Sequence, residues 1–315
     1  MNTIQAVVVD PSLAGRLAIR EVDRPTPLAS EALVRVAAVS LNRGEVRRSL
    51  TAPAGWRPGW DLAGTIEVAA ADGSGFPEGT RVVGFLPAGS WAQLVAVPTH
   101  SLAQLPPSVS FRDAATLPVA GLTALLALDQ GGLLLGKSVL ITGASGGVGH
   151  FACQLARCAG AKVTAQVRRV ELAEFVKKVG VNQIIVGSER DLIAQHGVYD
   201  LILDSIGGET LPAVLEVLAP DGKCVLFGTT AGADVTFNAS QFYGKGGLSL
   251  YGFILFHELK KQTAAAGLAR LVNLVAEGSL VPHIDLEVSW TEVADVAQKL
   301  SDRRFLGKAV LSVSD

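Results

Sequence analysis

The sequence predicts an α/β protein in two parts, a β-rich domain and a doubly wound parallel sheet. Up to about residue 112 it consists of short apolar runs cut by Gly and Pro; from residue 113 strand-like and helix-like segments alternate; after residue 256 the pattern returns to strands of the first kind. Alternation with turn residues every eight to twelve positions or so marks antiparallel, partly barrel-like β structure. Apolar runs of about four to six residues, joined by segments of helical period, mark strands covered on both faces by helices.

In the first part QAVVV, LAIREV, ALVRVAAVS, LAGTIEVA, TRVVGFL and WAQLVAVP each read as a strand. The second part runs SVLITG, GVGHFACQLARCAG, KVTAQV, VELAEFVKKVG, QIIV, RDLIAQHG, YDLILDS, GETLPAVLEVLAP, KCVLFG and LSLYGF, in which extended and helical periods take turns. The most apolar stretch, VAGLTALLAL (119–128), stops at Asp129 and Gln130, short of the ~20 residues that cross a bilayer, and reads as a buried helix. HELKKQTAAAGLARLVNLVAEG reads as one long helix, followed by LEVSW, TEVADVAQKLSDRR and GKAVLSV. These last strands look like those of the first part, which puts the C-terminal piece back on the β domain. The expected domains are therefore 1–118 with 256–315, and 119–255.

At 315 residues the chain can bury a large core, and 49% hydrophobic against 18% charged residues argues against disorder. A net charge of −2 leaves no footprint for nucleic acid or an anionic membrane. The start, MNTIQAVVVDPSLAG, has no basic region and meets Asp10 before an apolar core develops, so a cytoplasmic location is expected. Cys153, Cys158 and Cys224 form no C-x-x-C pair and read as small core residues, without a disulfide framework or zinc knuckle.

GGLLLGKSVLITGASGGVG, residues 131–149, satisfies three unrelated patterns at once. Gly131 to Ser138 spells the P-loop, but that loop follows a strand and opens a helix at its lysine, whereas here a helix precedes Gly131 and the strand SVLIT follows Lys137. Gly143 to Gly147 spells G-x-S-x-G, and a strand-turn-helix context suits a nucleophile elbow at Ser145, with Asp200, Asp204, His257 and His283 following in hydrolase order. That elbow does not call for Gly146, Gly147 and Gly149 together, and no HGG-like oxyanion segment lies upstream.

The dinucleotide turn uses the whole of GASGGVG. Ala144, in the first glycine's place, makes the tight turn; Gly146 lets the backbone approach a pyrophosphate; Gly149 lets the helix pack on its strand. The amides of Gly147 and Val148 face the anion, and the Ser145 hydroxyl can donate to the same phosphate. About twenty residues on, an acidic residue would hold the ribose 2′-hydroxyl of NAD. This chain offers Arg168 and Arg169 there, two guanidiniums that suit a 2′-phosphate and hence NADPH.

Together with PGWDLAGTI (58–66), GSWAQLVAVP (89–98) and LPVAGLTALLAL (117–128), GASGGVG resembles the medium-chain dehydrogenase/reductase superfamily, and within it the zinc-independent quinone and enone oxidoreductases. The resemblance runs nearly end to end and implies a GroES-like β domain, a Rossmann domain and a return to the first. Zinc-dependent members carry a Cys near VSLNRGEV and a His in the stretch matching PGWDLAG; here Asn42 and Trp60 stand in those places, so no metal is expected. The resemblance also implies that Asn42 lies near the nicotinamide and its ribose, that Thr123 reaches the cofactor, and that Phe227, Gly228 and Phe253 border the nicotinamide. Thr123 as a hydroxyl bonded within its own helix and Phe253 as core are the competing readings. Where many members carry a substrate-facing Tyr this chain has Arg47, either a clamp on substrate or enolate or a surface residue. The proton donor is left between Tyr243 and solvent.

The expected activity is NADPH-dependent, metal-free hydride transfer to a small-molecule quinone or α,β-unsaturated carbonyl, with hydrogen bonds alone polarising the acceptor. A non-catalytic NADPH-binding protein and a serine hydrolase using Ser145 are the alternatives. The family often dimerises through Rossmann edge strands, for which LSLYGFILF is the candidate here.

Overall fold

The computed structural model describes residues 3–188 and 190–313; the outermost residues of the expected β-rich domain, 1–2 and 314–315, lie outside these, as does position 189. The chain forms two compact units, one made of residues up to Leu122 with those from Leu259 onward, the other Thr123–Glu258.

The first unit begins with the antiparallel pair β1 (Thr3–Val9) and β2 (Leu17–Asp23). The strands β3 (Glu31–Ser40), β4 (Asp61–Val68), β5 (Arg81–Phe85), β6 (Leu94–Pro98) and β7 (Leu102–Gln104) follow. A short helix α1 (Arg43–Ser49) opens directly after β3 with Asn42 as its N-cap. Later Ser110 caps α2 (Phe111–Ala115) by accepting from the Asp113 amide at 3.1 Å. A π-helical turn, Leu117–Gly121, then runs into α3 (Leu122–Asp129), so the apolar stretch is a buried helical segment.

In the second unit β8 (Ser138–Ile141), β9 (Lys162–Val167), β10 (Gln183–Val186), β11 (Tyr199–Asp204), β12 (Leu218–Leu226) and β13 (Ser249–Gly252) form one parallel sheet in the order β10-β9-β8-β11-β12-β13. Its central strands are buried, as their unbroken Val, Leu and Ile runs require. From β8 the chain winds outward through β9 and β10, then crosses to β11 and winds the other way. The switch point between β8 and β11 is where the carboxyl ends of such a sheet open a crevice. Helix α4 (Gly147–Cys158) buries Phe151, Ala152, Cys153, Leu155 and Ala156. Burial pushes the Cys153 thiol up to about 12. Cys224 is also buried, but Cys158 is exposed at the helix end, where a core position was expected.

The P-loop spelling falls on the turn from α3 into β8. No helix opens at Lys137; its ammonium pairs with Asp200 at 3.3 Å, and the other Asp200 oxygen accepts from the Ser138 amide at 2.8 Å.

The long helical pattern after residue 256 is two helices, not one. Leu255–Glu258 ends the second unit, and Ala264–Ala276 starts afresh at Thr263, whose hydroxyl accepts from the Ala266 amide. Then come β14 (Ile284–Ser289), a helix at Val293–Ser301 and β15 (Lys308–Ser312). β15 pairs parallel with β14 and antiparallel with β3, giving the seven-stranded sheet β14-β15-β3-β4-β5-β7, with β6 also on β3. Trp91, Leu62, Ile66, Leu102 and Trp290 lie in the core of this unit. No helix among the described residues is long and apolar enough to cross a membrane.

Candidate cofactor and active site

Most of the residues singled out in the sequence stand at the carboxyl ends of the parallel strands. Gly143 to Gly149 follow β8, Arg168 and Arg169 follow β9, Phe227 and Gly228 follow β12, and Phe253 follows β13. The turn after β8 is made by Gly143, at φ +60°, where a side chain would meet Ser205 Oγ at 2.7 Å. This corrects the expected role of Ala144, which is fully buried and donates its amide to the Gln166 carbonyl at 3.0 Å. A methyl on Gly149 would lie 2.5 Å from the Gly143 oxygen, so glycine there lets α4 close onto the turn. Gly146 differs from both. It caps α4 at φ −81°, is exposed, and a methyl on it would meet only the Gly143 oxygen, at 3.4 Å. The first intrahelical bond is donated by His150 to the Gly146 carbonyl at 2.9 Å, so the amides of Gly147 and Val148 before it have no partner within the helix. With the helix dipole behind them they have the chemistry that suits an anion.

Arg168 and Arg169 are exposed, and neither forms an ion pair among the described residues. Ser145, half-buried on the turn, makes no hydrogen bond to a histidine or carboxylate among the described residues. The acids of the hydrolase reading are engaged elsewhere: Asp200 holds Lys137 and the Ser138 amide, and Asp204 is fully buried. Of the histidines, His257 is exposed on its short helix and His283 faces Asp285 at 3.9 Å.

Asp204 belongs instead to a network across the switch point. One of its oxygens accepts from the Thr142 hydroxyl at 2.6 Å and the other from the Gly207 amide at 2.9 Å, while the Thr142 hydroxyl accepts from the Ser205 amide at 3.0 Å. Burial pushes the Asp204 carboxyl above the usual carboxylate range. The Phe227 amide donates to the Asp204 carbonyl at 2.9 Å, and the Phe253 amide to the Leu226 carbonyl at 2.8 Å, which laces the strand ends together. Phe227 and Gly228 are partly exposed at this edge, whereas Phe253 is buried. Thr123 is buried on α3, and its hydroxyl makes no hydrogen bond among the described residues, so it does not bond back to its own helix. Tyr243 ends the helix Ala239–Tyr243 at 74% exposure, and Arg47 is exposed on α1.

Asn42 sits in a buried charged cluster in the first unit. Its side-chain Nδ2 donates to Glu45 Oε1 at 3.0 Å and to Asp61 Oδ2 at 2.8 Å, and its Oδ1 accepts from the Lys308 ammonium at 2.6 Å. Glu45 Oε1 also accepts from the Asn42 amide at 2.7 Å, Asp61 Oδ1 from the Val119 amide at 2.9 Å, and Lys308 donates to the Leu41 carbonyl at 2.9 Å. Lys308 and Asp61 form an ion pair at 3.6 Å. Burial raises the Asp61 carboxyl and lowers the Lys308 ammonium. The Glu45 carboxyl is pushed well above its usual range, first by burial and then by the charge of Asp61. Burial and the neighbouring charge of Asp61 both oppose ionisation of Glu45, while Lys308 and Asp61 are paired within the same cluster. These donors do not fit zinc, which takes Cys, His or carboxylate ligands in tetrahedral sets. An amide nitrogen aimed at two carboxylates, an ammonium beside them and the Trp60 indole against Gly44 supply no such set.

A parallel sheet with a glycine turn at its switch point defines a Rossmann-type unit, and the chain carries a second unit with a β sheet of its own. The comparisons narrow the class. The alcohol dehydrogenase GroES-like domain matches residues 29–107, and the zinc-binding dehydrogenase family matches residues 147–273. The chloroplast envelope quinone oxidoreductase homolog of Arabidopsis thaliana is 30% identical over 92% of this chain and 92% of its own length. Prostaglandin reductase-3 of Mus musculus is 32% identical over 90% of this chain and 81% of its own. The chain spans only 13% of the spectinabilin polyketide synthase system protein NorB of Streptomyces orinoci, which is 36% identical over 91% of this chain. Among solved structures, the quinone oxidoreductase from Coxiella burnetii superposes with a TM-score of 0.83 at 26% identity, covering 99% of this chain and 100% of that one. The CurK enoyl reductase gives 0.85 at 26% identity, covering 100% of each. The chain belongs to the medium-chain dehydrogenase/reductase family, in its quinone oxidoreductase-like branch. It has that family's GroES-like and Rossmann folds, and the family's members are oxidoreductases that bind nicotinamide cofactors.

Proposed function

We propose that this protein is an NADPH-dependent, metal-independent enzyme that reduces a quinone or an α,β-unsaturated carbonyl. The observation that carries the reading is Gly146. Gly146, the N-cap of α4, is exposed at an ordinary φ with near-open space around it, which leaves an anion lying on the turn the room that a side chain would take. The amides of Gly147 and Val148, without partners inside α4, and the Ser145 hydroxyl support a pyrophosphate bound on that turn. Arg168 and Arg169, exposed at the next strand end, fit a 2′-phosphate. Phe227, Gly228, Thr123 and Asn42 are assigned to the nicotinamide half by family resemblance.

Bound NADPH would supply a hydride from its nicotinamide ring. The chain's own residues bind and orient, and the proton that neutralises the anion left by hydride addition comes from solvent, since Tyr243 and Arg47 both stand exposed and offer no fixed donor. Relatives named as quinone oxidoreductase and enoyl reductase support the two acceptor classes. The partner besides the small-molecule acceptor is a second copy, paired along the edge strand β13, where Leu250 is 39% and nearby Ile254 60% exposed. The test is an acceptor screen with NADPH on protein dialysed against chelator, with products identified by mass. A reduced quinone or a saturated ketone formed in step with NADPH loss is expected; NADPH left unconsumed by every acceptor overturns the reading.

A further inference from the structure

We infer that Glu45, Asp61 and Lys308 are positioning residues that lock the Asn42 amide in one orientation with both of its N–H groups consumed, so that Asn42 cannot donate a hydrogen bond to a bound ligand. The functional half of this rests on the assignment of Asn42 to the nicotinamide half; the lock itself does not.

A primary amide has two N–H donors and one oxygen with two acceptor sites. Both Asn42 N–H groups are consumed, by Glu45 Oε1 at 3.0 Å and Asp61 Oδ2 at 2.8 Å. The oxygen accepts from Lys308 at 2.6 Å and also faces the Glu45 backbone amide in the capping box that opens α1. Turning the amide over would set its oxygen against two carboxyl oxygens and its N–H groups against an ammonium. The orientation, ordinarily a choice between near-equals, is therefore dictated by the charge on either side.

The clamp is itself clamped. Lys308 is held by the Leu41 carbonyl, Asp61 by the Val119 amide and Glu45 by the Asn42 backbone amide. Glu45 and Asp61 have no exposed surface and Lys308 has 4%, so none of them meets a ligand from solvent. Glu45 Oε2 has no hydrogen-bond partner among the described residues, a cost that packing alone would avoid with an apolar side chain. Buried ion pairs are commonly matched or bettered in stability by hydrophobic replacements of similar volume. The capping box accounts for the bonds between Glu45 and Asn42 at the start of α1, but not for Asp61 and Lys308 buried against the same amide, which a fixed Asn42 does account for. With both N–H groups consumed, Asn42 has none to offer a carbonyl oxygen, so the acceptor's developing oxyanion takes its hydrogen bonds elsewhere.

Two measurements test this. In nitrogen-15 labelled protein without cofactor, the Asn42 side-chain NH2 pair, assigned through its own Cβ, should exchange with solvent at least ~10-fold more slowly than that of exposed Asn238. Equal exchange overturns the lock whatever the enzyme does. The double variant Asp61→Asn/Lys308→Met removes both charges together and strands neither. It should keep the parent's thermal midpoint to within a few degrees but exchange its Asn42 NH2 faster and bind NADPH about 10-fold or more weakly. A double variant with the parent's slow exchange and NADPH affinity overturns the inference. If it does not fold, the exchange rate in the unmodified protein decides alone. Slow exchange in a protein that binds no NADPH would overturn the assignment of Asn42 to a cofactor and leave the lock standing.

Discussion

Gly149 lies so close to Gly143 that a methyl group on it would stand 2.5 Å from the Gly143 carbonyl oxygen and 2.7 Å from Ala144 Cα. Both neighbours are backbone and cannot swing aside. Gly149→Ala should therefore cost about 1 to 3 kcal/mol of stability, read as a lower thermal midpoint. Gly146→Ala, on the same turn but with no contact closer than 3.4 Å, should melt like the parent and still bind NADPH about 10-fold or more weakly. Wild-type affinity in Gly146→Ala would mean that no pyrophosphate crosses this turn.

Arg168 and Arg169 are exposed without ion-pair partners among the described residues, so removing either strands no buried charge. Charged hydrogen bonds contribute roughly 1.5 to 3 kcal/mol, and Arg168→Ala or Arg169→Ala should weaken NADPH by roughly 10- to 100-fold. Titration with NADH should change little. Parallel losses for both cofactors would show that the arginines do not read the 2′-phosphate.

Ser145 stands on the glycine turn and hydrogen-bonds to no histidine or carboxylate among the described residues. Ser145→Ala should lose about 0.5 to 1.5 kcal/mol of cofactor affinity and keep its reductase activity. A fluorophosphonate should leave Ser145 unlabelled in the parent; covalent capture there would restore the hydrolase reading.

Glu45 predicts a pH dependence of definite sign. Its carboxyl is raised in the folded protein, so above the ordinary glutamate range the unfolded chain gives up a proton that the folded chain keeps. Unfolding then releases a proton, and stability falls with rising pH until the folded carboxyl itself titrates. Glu45→Gln keeps an acceptor for Asn42 and has no proton to lose. Its unfolding free energy should rise relative to the parent's from pH ~5 to pH ~8. Parallel curves for the two proteins would place Glu45 at an ordinary pKa.

The parallel sheet was legible in the sequence because each of its signals is local: a buried strand is a short Val, Leu and Ile run, and the turn after β8 is a run of glycines. The shift of the turn from Ala144 to Gly143 was not, because slot-counting in a fingerprint cannot see which residue the strand end forces to φ +60°. The break at Thr263 had a local signal, a capping threonine ahead of the alanine run, that the apolar periodicity masked. The charged cluster was out of reach. Lys308 meets Asn42 across 266 residues of chain, and only the pairing of β15 with β3 brings them together. One part of it was written locally, since Asn42 and Glu45 stand at N-cap and N3 of α1, the spacing at which a side chain returns to the cap.

The central claim is that a hydride passes from NADPH to a carbon of the acceptor. The direct measurement is turnover of an α,β-unsaturated ketone with NADPH carrying deuterium at both C4 positions of the nicotinamide, followed by mass spectrometry and proton NMR of the product. The prediction is one deuterium per product molecule on the former β-carbon, with the α-hydrogen drawn from solvent. Product without deuterium, or NADPH bound and never consumed with this ketone or with a quinone, would contradict it.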